Sequence, residues 1–345
     1  MTKARDAARF AVAPMMDWTD SQCRQFHRVL TKRAQLFTEM VTSAAVVHGK
    51  RQKLLGFCAV EHPLVLQLGG SDPKEMADAA LIAQEWGYDE VNINVGCPSD
   101  RVQSGRFGAC LMQEPKLVGE LVGAMRAAVS IPVTVKCRIG VDDQDPEHAL
   151  DALADNVFDH GCAALWVHAR KAWLDGLSPK ENRDIPPLDY HRVYRLKERL
   201  PDRWIGINGG LKSLQDAQVQ LRYVDGVMLG RAAYQSPMIL ANVDAAFFGD
   251  PQHSLSDEEL RDDLVSQAQR LIANGGALRH LSRHLVGLYQ GVPGARQFRR
   301  HLAENTMGDA ASPHVLVDAF QKIIDAKRDY QARLEAQAAA TTNAA

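Results

Sequence analysis

No run of eighteen apolar residues occurs in the 345-residue chain, so the sequence offers no membrane-spanning helix. The opening MTKARDAARFAVAPMM lacks the continuous apolar block of a secretion signal, and a cytoplasmic protein is expected. Paired cysteines are missing too. The six cysteines (23, 58, 97, 110, 137 and 162) form no CxxC and have no histidine cluster beside them. A zinc site therefore has little support, a disulfide framework has none, and no metal is expected. Acidic residues are absent from one long stretch: none lies between Asp263 and Glu304, where Arg270, Arg279, Arg283, Arg296, Arg299 and Arg300 accumulate with His280, His284 and His301. In a chain of net charge −2, that local excess suggests a face for a polyanion such as nucleic acid. A merely solvated helical face would intersperse Asp and Glu.

What is present is an ordinary globular composition, 46% apolar and 24% charged. Short apolar runs alternate with amphipathic segments of helix length over the first 245 residues. The strand candidates are FAVAPM (10–15), LFTEMV (36–41), PLVLQL (63–68), EVNINV (90–95), VTVKCRI (133–139), ALWVHA (164–169), WIGING (204–209) and DGVMLG (225–230). Between them lie helices such as 72–87, opening on Asp72 and Pro73 and closing on Gly87, and 114–129, with Leu117, Leu121, Met125 and Val129 at helical spacing. Eight such units predict an α/β fold of the (β/α)8 TIM-barrel type. An open doubly wound sheet would carry fewer strands and a GxGxxG turn after the first, which is absent. After about residue 250 the alternation stops and four helical segments follow. The expected organisation is a barrel over 1–247, a small all-helical domain over 248–335 and a disordered Ala-rich tail over 336–345.

Barrel enzymes work at the C-terminal ends of their strands. Those positions here are Pro14, Met15 and Met16, then Glu39, Gln67, Asn94, Cys97, Lys136, Arg138 and His168, and finally Asn208-Gly209-Gly210 and Gly230-Arg231. The glycine turns after strands seven and eight suit a phosphate, with Arg231 and a helix N-terminus adding positive potential. Simple tight turns are the bland alternative. Within 91–112, Cys97 follows Gly96 and precedes Pro98, on a loop poorly suited to core filling. An ordinary thiol is protonated at neutral pH and can serve as an acid. A thiolate nucleophile, activated by a neighbouring base or cation, stays open at this point. Trp86, Trp166 and Trp204 read as core, Cys110, Cys137 and Cys162 as structural, and His191 as surface. Arg138 and Arg170 suit either RNA or a carboxylate.

These residues carry a resemblance. APMMDWTD, VNINVGCPSDRVQSGRFGACLM, VTVKCRIG and the INGG and GR turns resemble the tRNA-dihydrouridine synthase family, and 168–190 looks like its dihydrouridine synthase A subfamily. The likeness runs from about residue 10 to 330. It implies an FMN-dependent reduction, driven by NADPH, of the C5=C6 bond of tRNA D-loop uridines at positions 20 and 20a. Hydride would come from flavin N5 to C6, and Cys97 would give the proton to C5. FMN would be held by Pro14, Met15, Met16, Gln67, Lys136, His168, Asn208, Gly209, Gly210, Gly230 and Arg231. Asn94, Lys180, Arg183, Arg296 and Arg299 would contact the tRNA, and Asn94 carries both a donor and an acceptor for a uracil edge. The target base would have to flip out to be reached. Two other readings compete: a flavin barrel that reduces a small molecule, of the dihydroorotate dehydrogenase or ene-reductase type, and a barrel that binds RNA without chemistry. The first leaves the basic helical segment unexplained; the thiol-bearing loop speaks against the second.

Overall fold

A computed structural model describes residues 8–99, 105–252, 254–308 and 311–343. Eight parallel strands, β1 (Phe10–Val12), β2 (Gln35–Thr42), β3 (Leu64–Gly69), β4 (Glu90–Val95), β5 (Val133–Arg138), β6 (Leu165–His168), β7 (Ile205–Asn208) and β8 (Gly226–Leu229), pair in chain order. β8 closes on β1 with Met228 opposite Ala11, so the sheet is a (β/α)8 barrel. All eight expected strands are found, β5 to β8 a residue or two shorter than the apolar run. β1 is cut shortest because Pro14 has no N–H to continue a ladder. The helices between them begin as their sequences dictate. Asp72 accepts the Glu75 N–H at 2.7 Å ahead of Pro73–Glu85, and Asp145 accepts from Glu147 ahead of Pro146–Asp159.

The strand alternation divides two interiors. Val91, Ile93 and Val95 of β4 join the apolar layer between barrel and helices. Glu90, Asn92 and Asn94 turn the other way and bond side chains of β2, β3 and β5. The remaining barrel interior is filled by Trp166 and Trp204, whose rings meet edge-on at 4.8 Å, with Met228, Phe37 and Val65. Two glycines admit those rings. A Cβ on Gly206 would come within 2.4 Å of Trp166, and one on Gly226 within 2.5 Å of Trp204. Both tryptophans are core, as their apolar neighbours suggested; Trp86 is only partly buried and packs against the other apolar layer, between barrel and helices.

Beyond the barrel, helices Asp257–Ala273, Arg279–Leu285, Ala295–Asn305 and His314–Asn343 pack around Tyr289, Phe298 and Phe320, whose rings meet edge-on at 5.2–5.7 Å. Where a disordered tail was expected, the described residues 336–343 continue the last helix to Asn343, in keeping with alanine as the strongest helix former. Among the described residues no helix is long and apolar enough to cross a membrane.

The helical part grips the barrel through Asp20, which caps helix Ser21–Leu30 by accepting the Cys23 N–H. The same Oδ1 lies 3.1 Å from His284 Nε2, and Oδ2 accepts from Arg283 at 2.5 Å. His284 Nδ1 lies 3.1 Å from the Tyr234 hydroxyl, and Tyr234 stacks on Trp18 at 4.3 Å. Burial alone would raise the Asp20 carboxyl, but the His284 hydrogen bond and charge, the Cys23 N–H and Arg283 outweigh it and hold it at about 2. A lowered carboxyl stabilises the fold above its free titration range and ceases to do so as pH falls through about 2. Asp20→Ala is expected to lower stability by about 2 kcal/mol, read as a drop of several degrees in Tm at neutral pH.

Candidate active site

The loop after β4 is held from three sides. Asn94 Oδ1 accepts the backbone N–H groups of Gly96 at 3.0 Å and Cys97 at 2.9 Å. Ala109 N–H donates to the Cys97 carbonyl at 2.9 Å, and Arg138 Nε donates to the Gly96 carbonyl at 3.1 Å. The Cys97 thiol is part-buried, 3.5 Å from the Ser99 hydroxyl. Residues 100–104 of the motif lie outside the described residues. Asn94 differs from its expected part. Its oxygen already takes two N–H groups and its Nδ2 donates to Gln67 Oε1 at 2.8 Å, so one N–H is all it has for a base. The alternation of EVNINV was the signal: a polar residue at the end of that strand has other polar side chains for neighbours.

Beside this loop, β5 and β6 concentrate positive charge. Lys136 pairs in register with Asn94 and Trp166, and Arg138 with His168. Burial, then the Arg138 charge, pushes Lys136 down to about 8. Burial, then Arg138 and Lys136, pushes His168 well below the usual imidazole range, so its ring is neutral at pH 7. Arg138 is buried and brought down to about 10 by that burial. Of its two open readings neither holds. It bonds three backbone carbonyls, those of Gly96, Lys171 and Asn182, and thereby ties the Cys97 loop to the loop after β6. Arg170 does the same for the carbonyls of Asp184 and Pro186.

The turns after β7 and β8 form the third wall. Gly209 and Gly210 have φ of +110° and +69°, and the Tyr190 hydroxyl donates to the Gly209 carbonyl at 2.6 Å. A Cβ on Gly209 would strike the His168 ring at 2.5 Å, so this turn and His168 are in direct contact. Asn208 Nδ2 donates to the Met228 carbonyl at 2.7 Å, joining the two turns. Gly230 leads into Arg231–Gln235 with no side-chain cap, and around its Cβ position nothing comes nearer than Ala13 and the Met15 sulfur at 3.8 Å. Among the described residues, the N–H groups of Gly209, Gly210 and Gly230 meet no acceptor. The Arg231 guanidinium does not point there freely: it makes a two-pronged pair with Asp184 at 2.6 and 3.1 Å. Sequence reading missed Asp184 because 47 residues separate the partners. The loop of Pro14, Met15 and Met16 is pinned by the Met15 N–H donating to Thr19 Oγ1 at 3.0 Å, with Met16 exposed.

Gln67, Asn94, Cys97, Lys136, His168, the three glycines and Met15 thus surround one barrel mouth. Lys180 and Arg183 stand exposed in the loop after β6, Arg183 near enough to act on Arg138 and His168. Arg296 and Arg299 are exposed one helical turn apart on Ala295–Asn305.

The family described as Dihydrouridine synthase (Dus) matches residues 11–325. The chain belongs to the dihydrouridine synthase family. Among its relatives, the tRNA-dihydrouridine(20/20a) synthase of Vibrio parahaemolyticus is 53% identical over 318 residues, 92% of this chain and 97% of that protein. The proteins of the same description from Xanthomonas campestris and Salmonella typhimurium are 52% identical, each over 94% of this chain and 96% and 98% of their own lengths. For a dihydrouridine synthase, the site residues missed by sequence reading are the ones beneath and between the named ones: Asn92, Thr134 and Asn182 are all nearly or fully buried. The period-2 placement of Asn92 and Thr134 was the hint of an inward role, and Asn182 had none.

Proposed function

We propose that the chain reduces the C5=C6 bond of D-loop uridines 20 and 20a of tRNA, with FMN as bound cofactor and NADPH as reductant. The observation that carries this reading is a part-buried thiol on a loop fixed by Asn94 and Arg138, next to a half-buried lysine that, among the described residues, makes no ion pair. The residues fit an FMN. Three N–H groups without acceptors at Gly209, Gly210 and Gly230 suit its phosphate, and the uncapped turn at Arg231 adds backbone N–H groups to the same anion. Arg231 then serves through its backbone and by holding the loop after β6 through Asp184. Pro14, Met15, Met16, Gln67, Lys136, His168 and Asn208 complete the contact set. When bound, the reduced flavin supplies the hydride for uracil C6. Cys97 delivers the proton to C5, Lys136 offers a cation beside the developing negative charge, and neutral His168 contributes hydrogen bonding without adding charge.

Mass-spectrometric mapping of dihydrouridine in tRNA from a strain lacking the gene tests the assignment; loss at positions 20 and 20a is expected, and unchanged tRNA would refute it. The helical domain is assigned to tRNA through Arg296 and Arg299, with Lys180 and Arg183 on the barrel side. Replacing Arg296 and Arg299 together by alanine is expected to weaken tRNA binding and to lower the slope of log K against log salt by about 2, since each phosphate contact releases counterions. An unchanged slope would return both arginines to the solvent-exposed face of their helix.

A further inference from the structure

A line of polar side chains runs through the barrel beneath the site. Asn94 Oδ1 takes the N–H groups of Gly96 and Cys97, and Asn94 Nδ2 donates to Gln67 Oε1 at 2.8 Å. Gln67 Nε2 donates to Asn92 Oδ1 at 2.8 Å, Asn92 Nδ2 to Thr134 Oγ1 at 2.9 Å, and the Thr134 hydroxyl to Glu90 Oε1 at 2.5 Å. Glu90 Oε2 accepts from Gln35 Nε2 at 3.1 Å. Every donor points the same way, from the mouth at the end of β4 to Glu90 at its start. Gln67, Asn92 and Thr134 are at most 1% exposed and Glu90 is 7% exposed, so water does not substitute for a lost link.

The direction is fixed at the mouth, where backbone N–H groups can only donate, and is matched at Glu90, whose two oxygens accept from Thr134 and Gln35 even though burial pushes its carboxyl up to about 7. The amides of Asn94, Gln67 and Asn92 can reverse only together, because a single reversal sets two N–H groups, and two oxygens, against each other. The loop N–H groups set the orientation of Asn94 and Gln67, and Glu90, through Thr134 and Asn92, anchors the far end of the same chain although it touches neither cofactor nor substrate.

We propose that Glu90 and Thr134 are positioning residues for the reaction: from the closed end of the barrel they lock the Gln67 and Asn94 amides, and through Asn94 the backbone that carries Cys97. This rests on the reading of Cys97 as the proton donor. The competing account is that these side chains merely satisfy one another inside the barrel. In that case their loss would loosen the fold evenly and leave the Cys97 loop no worse than the rest.

Hydrogen exchange read by mass spectrometry separates the two, on both flavin-free and FMN-loaded full-length protein. Thr134→Val and Glu90→Leu are expected to speed exchange at Gly96 and Cys97 by roughly tenfold while the other strands keep their protection. In the loaded enzyme kcat should fall by about tenfold with KM for tRNA unchanged, and Glu90→Gln, which keeps an acceptor for Thr134, should restore both. Wild-type exchange at Gly96 and Cys97 in folded Thr134→Val, an even rise across the barrel, or a Glu90→Gln variant as impaired as Glu90→Leu would each overturn the proposal. Should Glu90→Leu fail to fold, Thr134→Val decides. If Cys97→Ala retained turnover, the acid reading would fail while the exchange result still reported on the chain of hydrogen bonds.

Discussion

Cys97→Ala is expected to reduce dihydrouridine formation by ~100-fold or more, with FMN retained and tRNA affinity changed by less than about twofold. The size of the loss follows from what the thiol is asked to do. Hydride addition at uracil C6 leaves negative charge on C5 and the C4 carbonyl that a proton must quench, and a positioned acid contributes two to four orders of magnitude to such a step. The retention follows from geometry: the loop is held through the Cys97 backbone by Asn94 and Ala109 and through Gly96 by Arg138, not through the sulfur. Removing the sulfur leaves those bonds intact. The checks are the visible absorbance of the purified variant, a tRNA titration and mass-spectrometric counting of dihydrouridine after single turnover. A variant that turned over normally would assign the proton to another group. Cys97→Ser should rescue little, because a hydroxyl at the same place is a far weaker acid.

How this site was legible in the sequence depends on which link is considered. The barrel followed from eight apolar runs at βα spacing, and strand ends then named Gln67, Cys97, Lys136, His168 and the glycine turns without reference to structure. That logic works because a closed parallel barrel brings all its strand ends to one mouth. It fails for what the named residues do with their own polar atoms. Asn94 was read as a base reader with a free donor and acceptor, yet its oxygen belongs to the Cys97 loop. Arg231 was read as a phosphate ligand, yet its guanidinium belongs to Asp184. Arg138 was poised between RNA and a carboxylate, and three carbonyls take it instead. Each is a partner choice between residues two to more than forty positions apart, set by loop conformation and not by strand periodicity. The basic stretch was read correctly as charge, but Arg283 within it is held by Asp20 at the interface with the barrel, so it is not wholly free for a polyanion.

Lys136→Met is expected to separate stability from activity: the flavin-free variant should be more stable than the wild type, and its turnover should fall by ~100-fold. The stability half comes from burial. Lys136 is half-buried near Arg138, and its ammonium is disfavoured enough to titrate at about 8 instead of 10.5. At pH 7 the wild type carries that poorly solvated charge, and a thioether of similar length removes it at a gain of ~2 kcal/mol. The sign of the pH dependence is fixed by the same shift. Between about 8 and 10.5 the unfolded chain binds more protons at this residue than the folded one, so wild-type stability rises with pH across that window relative to the variant. The advantage of Lys136→Met in Tm should therefore be largest near pH 7 and shrink towards pH 10. The activity half runs the other way, because the cation is what the site offers to negative charge developing beside it, and that charge is lost as pH rises through about 8. Wild-type turnover should decline above that pH, and the residual turnover of Lys136→Met should lack this step. A variant that was both less stable and equally active would show that Lys136 is a packing residue. A protein that keeps a lysine where methionine is more stable is holding a charge in place for a ligand to meet.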